Sequence, residues 1–250
     1  MRTNIENKVN DFFHLHKEAT RKDLTDYISQ IEPEFTPSTI STYITRMVNS
    51  GVIFRNGRGS YTYTERRDYR PIVNQRLKLI ANKIKQEFPL LNFCVWDSNW
   101  LNEFMRHQLF RQMLVIEVEK DGAESVFYAL GETNKKIFYK PDATVFQRYI
   151  AGHDDPIIIM PLISESPINQ DGKIPIPTLE KFLVDMVADK NLYAAQQAEL
   201  DFIYENALNK YAISVSKIKR YARRRNQLEK TMMLVELAGK DIQVKKANDR

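Results

Sequence analysis

The chain has 250 residues, of which 43% are hydrophobic and 28% charged, a composition that excludes intrinsic disorder and favours a soluble globular protein. Its net charge of +5 is a mild basic bias, compatible with a nucleic-acid partner but not proof of one. The single cysteine, Cys94, excludes an intramolecular disulfide, and neither a signal-peptide core nor a long apolar run is present. We therefore expect a cytoplasmic protein that does not associate with a membrane.

The N-terminal part of the chain has the pattern of three helices. Apolar residues recur at helical spacing over residues 5–13. Thr20, with Asp23 three residues later, is close to a capping box at the start of the second helix. Thr36-Pro37 combines a capping residue with a proline at the first helical position, which predicts the start of the third helix.

A hairpin is predicted directly after the third helix. Gly51 is a suitable left-handed stop for that helix. Asn56-Gly57 then separates two strand-like runs, VIFR and RGSYTYT, and this dipeptide favours a two-residue turn because both residues tolerate positive φ. Such a turn makes Arg55 and Arg58 direct cross-strand neighbours, whose repulsion an anionic partner would offset.

Three helices followed by a hairpin form the outline of a winged helix-turn-helix, a DNA-binding fold. If Ile40, Ile44 and Met47 face inward, the polar side chains of the third helix face outward. Short hydroxyl side chains near a helix N-terminus can bind phosphates, and Arg46 can span a guanine edge with two hydrogen bonds. The predicted DNA-binding residues are Ser38, Thr39, Ser41, Thr42, Thr45, Arg46, Arg55, Asn56 and Arg58.

The charge distribution supports this interpretation. Residues 36–70 contain six basic and two acidic residues, whereas residues 1–35 contain more acids than bases. The positive charge therefore lies where a winged helix contacts DNA. The alternative is a solvated Ser/Thr-rich helix in a protein-interaction module that never contacts DNA.

A second domain follows a charged, proline-terminated linker. We place the winged helix at residues 1–64, the linker at 65–72 and an α/β domain at 73–250. The apolar runs LLNFCVW, MLVIEVE, KIFYK and PIIIMPL predict four strands. Helices are predicted at about residues 72–88, 100–110, 123–130 and 143–150, and from Pro177 the pattern is helical almost to the end. The expected fold class is mixed α+β, with a helical C-terminal tail.

The strongest candidate for catalytic chemistry is a pair of acids. Glu117 and Glu119 lie two apart on a predicted strand and so share one face, where they could hold a divalent metal. A metal-dependent nuclease is therefore an alternative function. A restriction-type core also needs a lysine on the same face, two residues after the acid, but Lys120 falls on the other face. We favour an acid pair at a strand edge, or one that is paired with arginines.

Other catalytic patterns are missing from the sequence. It has no phosphate loop, no Gly-Ser turn followed by the spaced aspartates of a nucleotidyltransferase, and no histidine spacing typical of a metal site. We therefore expect no enzyme activity, no cofactor and no metal.

A second basic segment lies near the C-terminus, in SVSKIKRYARRRN at residues 214–226. Ile218, Tyr221 and Ala222 give a predicted helix its inner face. Cations are also common on solvated helix faces, but six in nine positions without an acid indicate a possible second anionic contact, with flanking DNA or with RNA. Its residues are Lys217, Lys219, Arg220, Arg223, Arg224 and Arg225.

Several segments together resemble the AbiEi-like antitoxins of type IV toxin–antitoxin systems, which act in bacterial abortive infection. They are LEKFLVDMVAD, the preceding PIIIMPLISESP, the following NKYAISVSKIKRYARRR, WDSNWLNEFMRH and IEVEKDGAESVFYAL. The resemblance covers nearly the whole chain. It implies a transcriptional regulator that binds inverted repeats in its own promoter. It also implies a C-terminal domain that counteracts a cognate nucleotidyltransferase-like toxin, without enzyme activity of its own.

Overall fold

The structure is a computed structural model that describes residues 4–16, 18–49, 52–55, 59–63, 68–108, 112–150 and 152–248, with side chains described throughout except at positions 4, 14, 147 and 240–248. The chain divides into two compact units. The first comprises Met1–Asp68 and Lys210–Ser216, and the second comprises Tyr69–Asn209 and Lys217–Arg250. The cut after Asp68 falls inside the predicted linker. The return of Lys210–Ser216 to the first unit has no counterpart in the sequence prediction.

The first unit alternates helices with short strands. Its elements are α1 (Asn4–Leu15), β1 (Glu18–Thr20), α2 (Arg21–Ile31), α3 (Pro37–Asn49), β2 (Phe54–Arg55) and β3 (Ser60–Thr62). The strands pair antiparallel in the order β1-β3-β2. All three predicted helices are present, whereas β1 was not predicted.

The predicted starts of α2 and α3 are confirmed. The Thr20 hydroxyl accepts a hydrogen bond from the Asp23 amide at 3.2 Å, and the Thr20 amide donates to the Asp23 carboxylate at 2.8 Å. This is a complete capping box. The Thr36 hydroxyl accepts from the Thr39 amide at 3.2 Å, immediately before Pro37 begins α3. Both helices therefore begin where a side chain satisfies a free backbone amide.

The inward stripe predicted for α3 is also confirmed. Ile40, Ile44 and Met47 are each 1% exposed and pack in one core with Leu24 and Ile28 of α2. The rest of that core comes from α1, β1, the segment before β2, and β3. Burying this stripe fixes which face of α3 points to solvent.

The two-residue hairpin turn was predicted wrongly. Arg55 pairs with Tyr61 and not with Arg58, so the connection between β2 and β3 is longer. On its other edge β3 pairs with β1, where Ala19 lies opposite Tyr61 and both residues are buried. Gly59, with φ of 75°, supplies a left-handed position in this connection. Gly51, Asn56, Gly57 and Arg58 lie outside the described residues.

The second unit contains a mixed four-stranded sheet. Its first elements are α4 (Gln75–Glu87), β4 (Phe93–Asp97), β5 (Leu114–Val118), α5 (Ala123–Gly131), β6 (Ile137–Tyr139), α6 (Ala143–Val145), a π-helical turn (Phe146–Ile150) and β7 (Ile157–Pro161). The order of the strands in the sheet is β4-β5-β7-β6. Strands β4 and β5 are antiparallel, whereas β7 runs parallel to both β5 and β6. The four predicted strands are confirmed, as are the predicted helices α4 and α5.

The helix predicted around residues 100–110 is wrong in its extent and type. A 3-10 helix covers Ser98–Phe104, and Met105 is already extended. The reason is Glu199, whose carboxylate accepts hydrogen bonds from the backbone amides of Arg106 at 2.6 Å and His107 at 3.2 Å. These amides are therefore bound to a side chain and do not continue a helix.

The remainder of the second unit is a hairpin followed by helices. The hairpin was not predicted; β8 (Ile168–Asp171) and β9 (Ile174–Pro177) are joined through Gly172, whose φ is 59°. The helical elements are α7 (Leu179–Ala188), a 3-10 helix (Ala194–Glu199), α8 (Leu200–Lys210), α9 (Val215–Arg224) and α10 (Leu228–Asn248). The fold is mixed α+β, as predicted. Within the described ranges, no helix is both long and apolar enough to cross a bilayer.

Candidate nucleic-acid interface

The outward face of α3 is polar from its first turn to its last. Ser38, Thr42, Thr45 and Arg46 are exposed, and Thr39 and Ser41 are partly exposed. The structure therefore brings together the six predicted α3 residues on one surface. Burial of Ile40, Ile44 and Met47 on the opposite side is what presents them to solvent.

The hydroxyl groups on this face differ in their partners. Thr42 donates to the Ser38 carbonyl at 3.0 Å, and Thr45 donates to the Ser41 carbonyl at 2.9 Å. The threonine protons are thus already used within the helix, which is common for this residue type. As oriented here, these two hydroxyls can accept hydrogen bonds from a partner but cannot donate to a phosphate.

Arg21 is a cation beside this face that the sequence analysis missed. Its guanidinium donates to the Ser41 hydroxyl at 2.5 Å and to the Tyr61 hydroxyl at 3.3 Å, linking α2, α3 and β3. Arg21 and Lys22 occupy the first turn of α2, where the helix dipole disfavours cations. The sequence did carry a signal for this cation, because two basic residues at the start of a helix are unfavourable unless an anionic partner offsets the helix dipole.

The two described arginines of the predicted site are exposed. The Arg46 guanidinium carbon lies 6.0 Å from the centroid of the Tyr43 ring, and Arg55 lies at the end of β2. Among the described residues, no carboxylate forms an ion pair with either arginine. Together with Arg21 they leave the exposed side of the first unit with positive charge available for a partner. Asn56 and Arg58 of the predicted site fall in the part of the chain that is not described.

Glu117 and Glu119, the acids considered for a nuclease, have different environments. Glu117 is buried on β5, and both of its carboxylate oxygens lie 2.6 Å from Lys181 Nζ. Its Oε1 also accepts from Trp96 Nε1 at 2.9 Å. Glu119 follows the end of β5 and accepts from Asn92 at 2.9 Å. The two carboxylates are therefore used in separate hydrogen-bonding arrangements. No group of three or more metal-ligating side chains was found in the described ranges.

Lys181 is the centre of a buried charge network. Its ammonium also contacts Asp185 at 2.6 Å, and Asp185 in turn accepts from the Tyr221 hydroxyl at 2.8 Å. Burial alone would lower the pKa of Lys181, but attraction to Asp185 and Glu117 outweighs it and holds that pKa well above its usual value. Arg225 Nε lies 3.1 Å from Asp185, so two cations meet two carboxylates.

Cys94 lies beside this network on β4 and is completely buried. Burial raises the pKa of its thiol well above the usual value, and the negative charge of Glu117 adds to the effect. Because the thiolate is the reactive form, a raised pKa makes this cysteine inert.

The second predicted anionic contact requires one correction. On α9, Lys217, Lys219 and Arg220 are exposed, as are Arg223 and Arg224. Arg225 does not belong with them, because it is only 17% exposed and pairs with Asp185. The sequence could not separate Arg225 from its neighbours, since its partner lies forty residues earlier on α7.

Comparison with known protein families identifies the family of this chain. The sequence matches a family of unknown function, DUF6577, over residues 39–240. The chain belongs to the DUF6577 family. The matched span begins inside α3, after Ser38, and continues through the α/β part and α9 into α10. The comparison with curated proteins gave no match.

Proposed function

We propose that the chain is a DNA-binding transcriptional autorepressor and the antitoxin of a type IV toxin–antitoxin system. The observation that carries the DNA-binding half is the exposed polar face of α3, together with Arg46 and Arg55, which form no ion pair with any described carboxylate. The order α1-β1-α2-α3-β2-β3 supports our interpretation of the first unit as a winged helix-turn-helix, in which α3 is the recognition helix.

The interface divides into two kinds of contact. Arg46, on the exposed face of α3, is suited to a bidentate hydrogen bond with a guanine edge. Arg21 and Arg55, with Arg58 at the predicted wing tip, are suited to phosphates, which position the protein without reading sequence. The proposed partners are therefore double-stranded promoter DNA and the toxin. The proposed location is the cytoplasm of a bacterium.

The antitoxin half rests on the resemblance to AbiEi-like antitoxins. The proposed toxin is a nucleotidyltransferase-like enzyme encoded next to this gene. A direct test expresses the neighbouring gene alone and together with this chain. Growth arrest by the neighbour that co-expression relieves supports the proposal, and a harmless neighbour, or arrest that persists, contradicts it.

Footprinting of the upstream region tests the DNA-binding half. Arg46→Ala should cost about 1–3 kcal/mol, concentrated at one base step, because a bidentate base contact is lost. Arg55→Ala should weaken binding to all DNA sequences to the same extent, because a phosphate contact is lost. Arg148→Ala, which removes an exposed arginine from the second unit, is the matched control and should leave protection unchanged.

Two results would overturn the DNA-binding half. One is a wild-type chain that protects no upstream sequence, which would favour the protein-interaction alternative. The other is an Arg46→Ala/Arg55→Ala variant with unaltered protection. The nuclease alternative predicts magnesium- or manganese-dependent cleavage that Glu117→Gln abolishes, but the pairing of Glu117 with Lys181 gives it no support.

A further inference from the structure

The exposed surface of α9 is almost entirely cationic. Ile218, Tyr221 and Ala222 are completely buried and hold the helix against the second unit. The exposed side chains on the other side are Ser216 followed by five cations: Lys217, Lys219, Arg220, Arg223 and Arg224. From Lys217 to Arg224 the helix rises by about 10 Å, so these charges are concentrated in two turns.

This arrangement destabilises the isolated helix. Lys219 and Arg223 are four residues apart, and Arg220 lies three residues from both Lys217 and Arg223, so like charges face one another. Among the described residues, no acid forms an ion pair with Lys219, Arg220 or Arg223. In the described part of the chain, Lys219, Arg220 and Arg223 therefore repel one another without an acid that neutralises them.

The buried charge network holds this cluster in place. Tyr221 donates to Asp185 at 2.8 Å, and its oxygen also bonds Ser166 at 3.0 Å. Arg225, directly after α9, pairs with the same Asp185. Arg224 Nε donates to the Ser164 hydroxyl at 2.6 Å, which leaves the rest of its guanidinium at the surface. Five surface cations are thus presented on a helix whose inner face is anchored by hydrogen bonds and an ion pair.

The chemistry of the surface selects the class of partner. A protein partner would be expected to find apolar or aromatic anchors, and single-stranded nucleic acid would be expected to find rings for its bases to stack on. The exposed face of α9 offers neither. Closely spaced cations without aromatic side chains suit the phosphate backbone of a duplex, which carries one negative charge per about 1.7 Å of axis.

We propose that α9 is a second, sequence-independent binding surface for the phosphate backbone of double-stranded DNA. That the duplex is DNA and not RNA rests on the proposed function. The α9 contacts add affinity for any sequence, whereas α3 selects the operator. Binding to non-operator duplex therefore depends more on α9 than on Arg46.

The test measures binding of the full chain to a random-sequence DNA duplex over a series of salt concentrations. The variant is Lys219→Gln/Arg220→Gln/Arg223→Gln. The slope of log affinity against log salt should fall by about 0.9 for each cation removed, about 2.7 in total. The matched control is Lys120→Gln/Lys135→Gln/Lys190→Gln, which removes the same charge from exposed positions of the same unit and should keep the wild-type slope. Circular dichroism should show that both variants fold, since glutamine is a good helix former.

Each outcome decides the proposal. A slope that falls in the α9 variant and not in the control supports it, and the single variant Lys219→Gln should then give about one third of the effect. An unchanged slope, an equal fall in the control, or a wild-type chain that does not bind the duplex at low salt overturns it. If the α9 effect is present but Arg46→Ala leaves the operator footprint unaltered, the proposed operator recognition fails while this surface stands.

Discussion

Lys181 is a lysine without solvent exposure, held between two carboxylates. A buried ammonium is tolerated only when opposite charges surround it, and here Glu117 and Asp185 both lie at 2.6 Å. The cost of removing one partner is therefore far larger than the net stabilisation the network provides. Substitution of Lys181 should therefore strongly destabilise the second unit.

We expect Lys181→Met to destabilise the protein by about 3–5 kcal/mol, because two buried carboxylates lose their common counter-ion. Urea unfolding at neutral pH gives this value. Lys190→Met is the matched control, since Lys190 is exposed, and its effect should stay within about 0.5 kcal/mol.

The same residue produces a dependence on alkaline pH. The pKa of Lys181 is held above its ordinary 10.5 in the fold, so its stabilisation is complete below pH 10.5 and declines as the pH rises toward the folded pKa. Lys181→Met should lack this part of the decline. A variant with wild-type stability, or with the same alkaline decline, would contradict the role of Lys181 as the charged partner of Glu117 and Asp185.

The network was beyond the reach of sequence reasoning. Lys181 and Asp185 are four residues apart, a spacing normally interpreted as an exposed ion pair on a helix. Only the burial of every residue from Leu179 to Val187 reverses that interpretation. A single acid inside the apolar strand LVIEV was the one available hint, because an unpaired carboxylate is too costly there.

At the level of elements, the capping box of α2 is a local feature that the sequence predicts well. Thr20→Ala should cost about 1 kcal/mol, because the Asp23 amide loses its acceptor. The matched control is Thr25→Ala in the same helix, where the hydroxyl only bonds the Arg21 carbonyl and alanine improves helix propensity. Chemical denaturation of the three proteins separates the two expectations, and equal stabilities would contradict the role of the cap.

The cap should also make the stability of the protein depend on pH in the acid range. The hydrogen bonds from Thr20 lower the pKa of Asp23, so its contribution is present above the ordinary value of 3.8 and is lost as the pH falls through the lower folded pKa. In Thr20→Ala the pKa of Asp23, followed by NMR titration, should rise toward its ordinary value.

The connection between β2 and β3 shows where element prediction fails. Helix starts depend on three or four consecutive residues, so Thr20 and Thr36 could be identified from the sequence alone. The register of β2 on β3 places Arg55 opposite Tyr61. The Asn56-Gly57 signal is local and does not report which residues of the two strands lie opposite one another, so the predicted neighbours Arg55 and Arg58 were wrong. The inward stripe of α3, which follows from periodicity, was correct.

At the scale of the whole molecule, the core of the first unit extends beyond the part of the chain that matches DUF6577. Among the described residues, the buried cluster that holds α3 lies within residues 5–61. The DUF6577 match, in contrast, starts at residue 39 and leaves out α1, β1 and α2. These omitted elements supply Val9, Leu24 and Ile28, each with no exposed surface. They are therefore needed to hold α3 with its polar face outward.

Because the described buried cluster around α3 lies within residues 5–61, a fragment of residues 1–70 should fold on its own. We expect a cooperative thermal transition by circular dichroism, at modest temperature because so short a chain buries little surface. Leu24→Ala should abolish it, since losing a fully buried leucine costs about 2–5 kcal/mol, comparable to the whole stability of a small domain. Leu15→Ala is the control, because Leu15 is 78% exposed and its loss should change little. A fragment without a transition would mean that the first unit needs Lys210–Ser216, and adding that segment as a separate peptide should then restore folding.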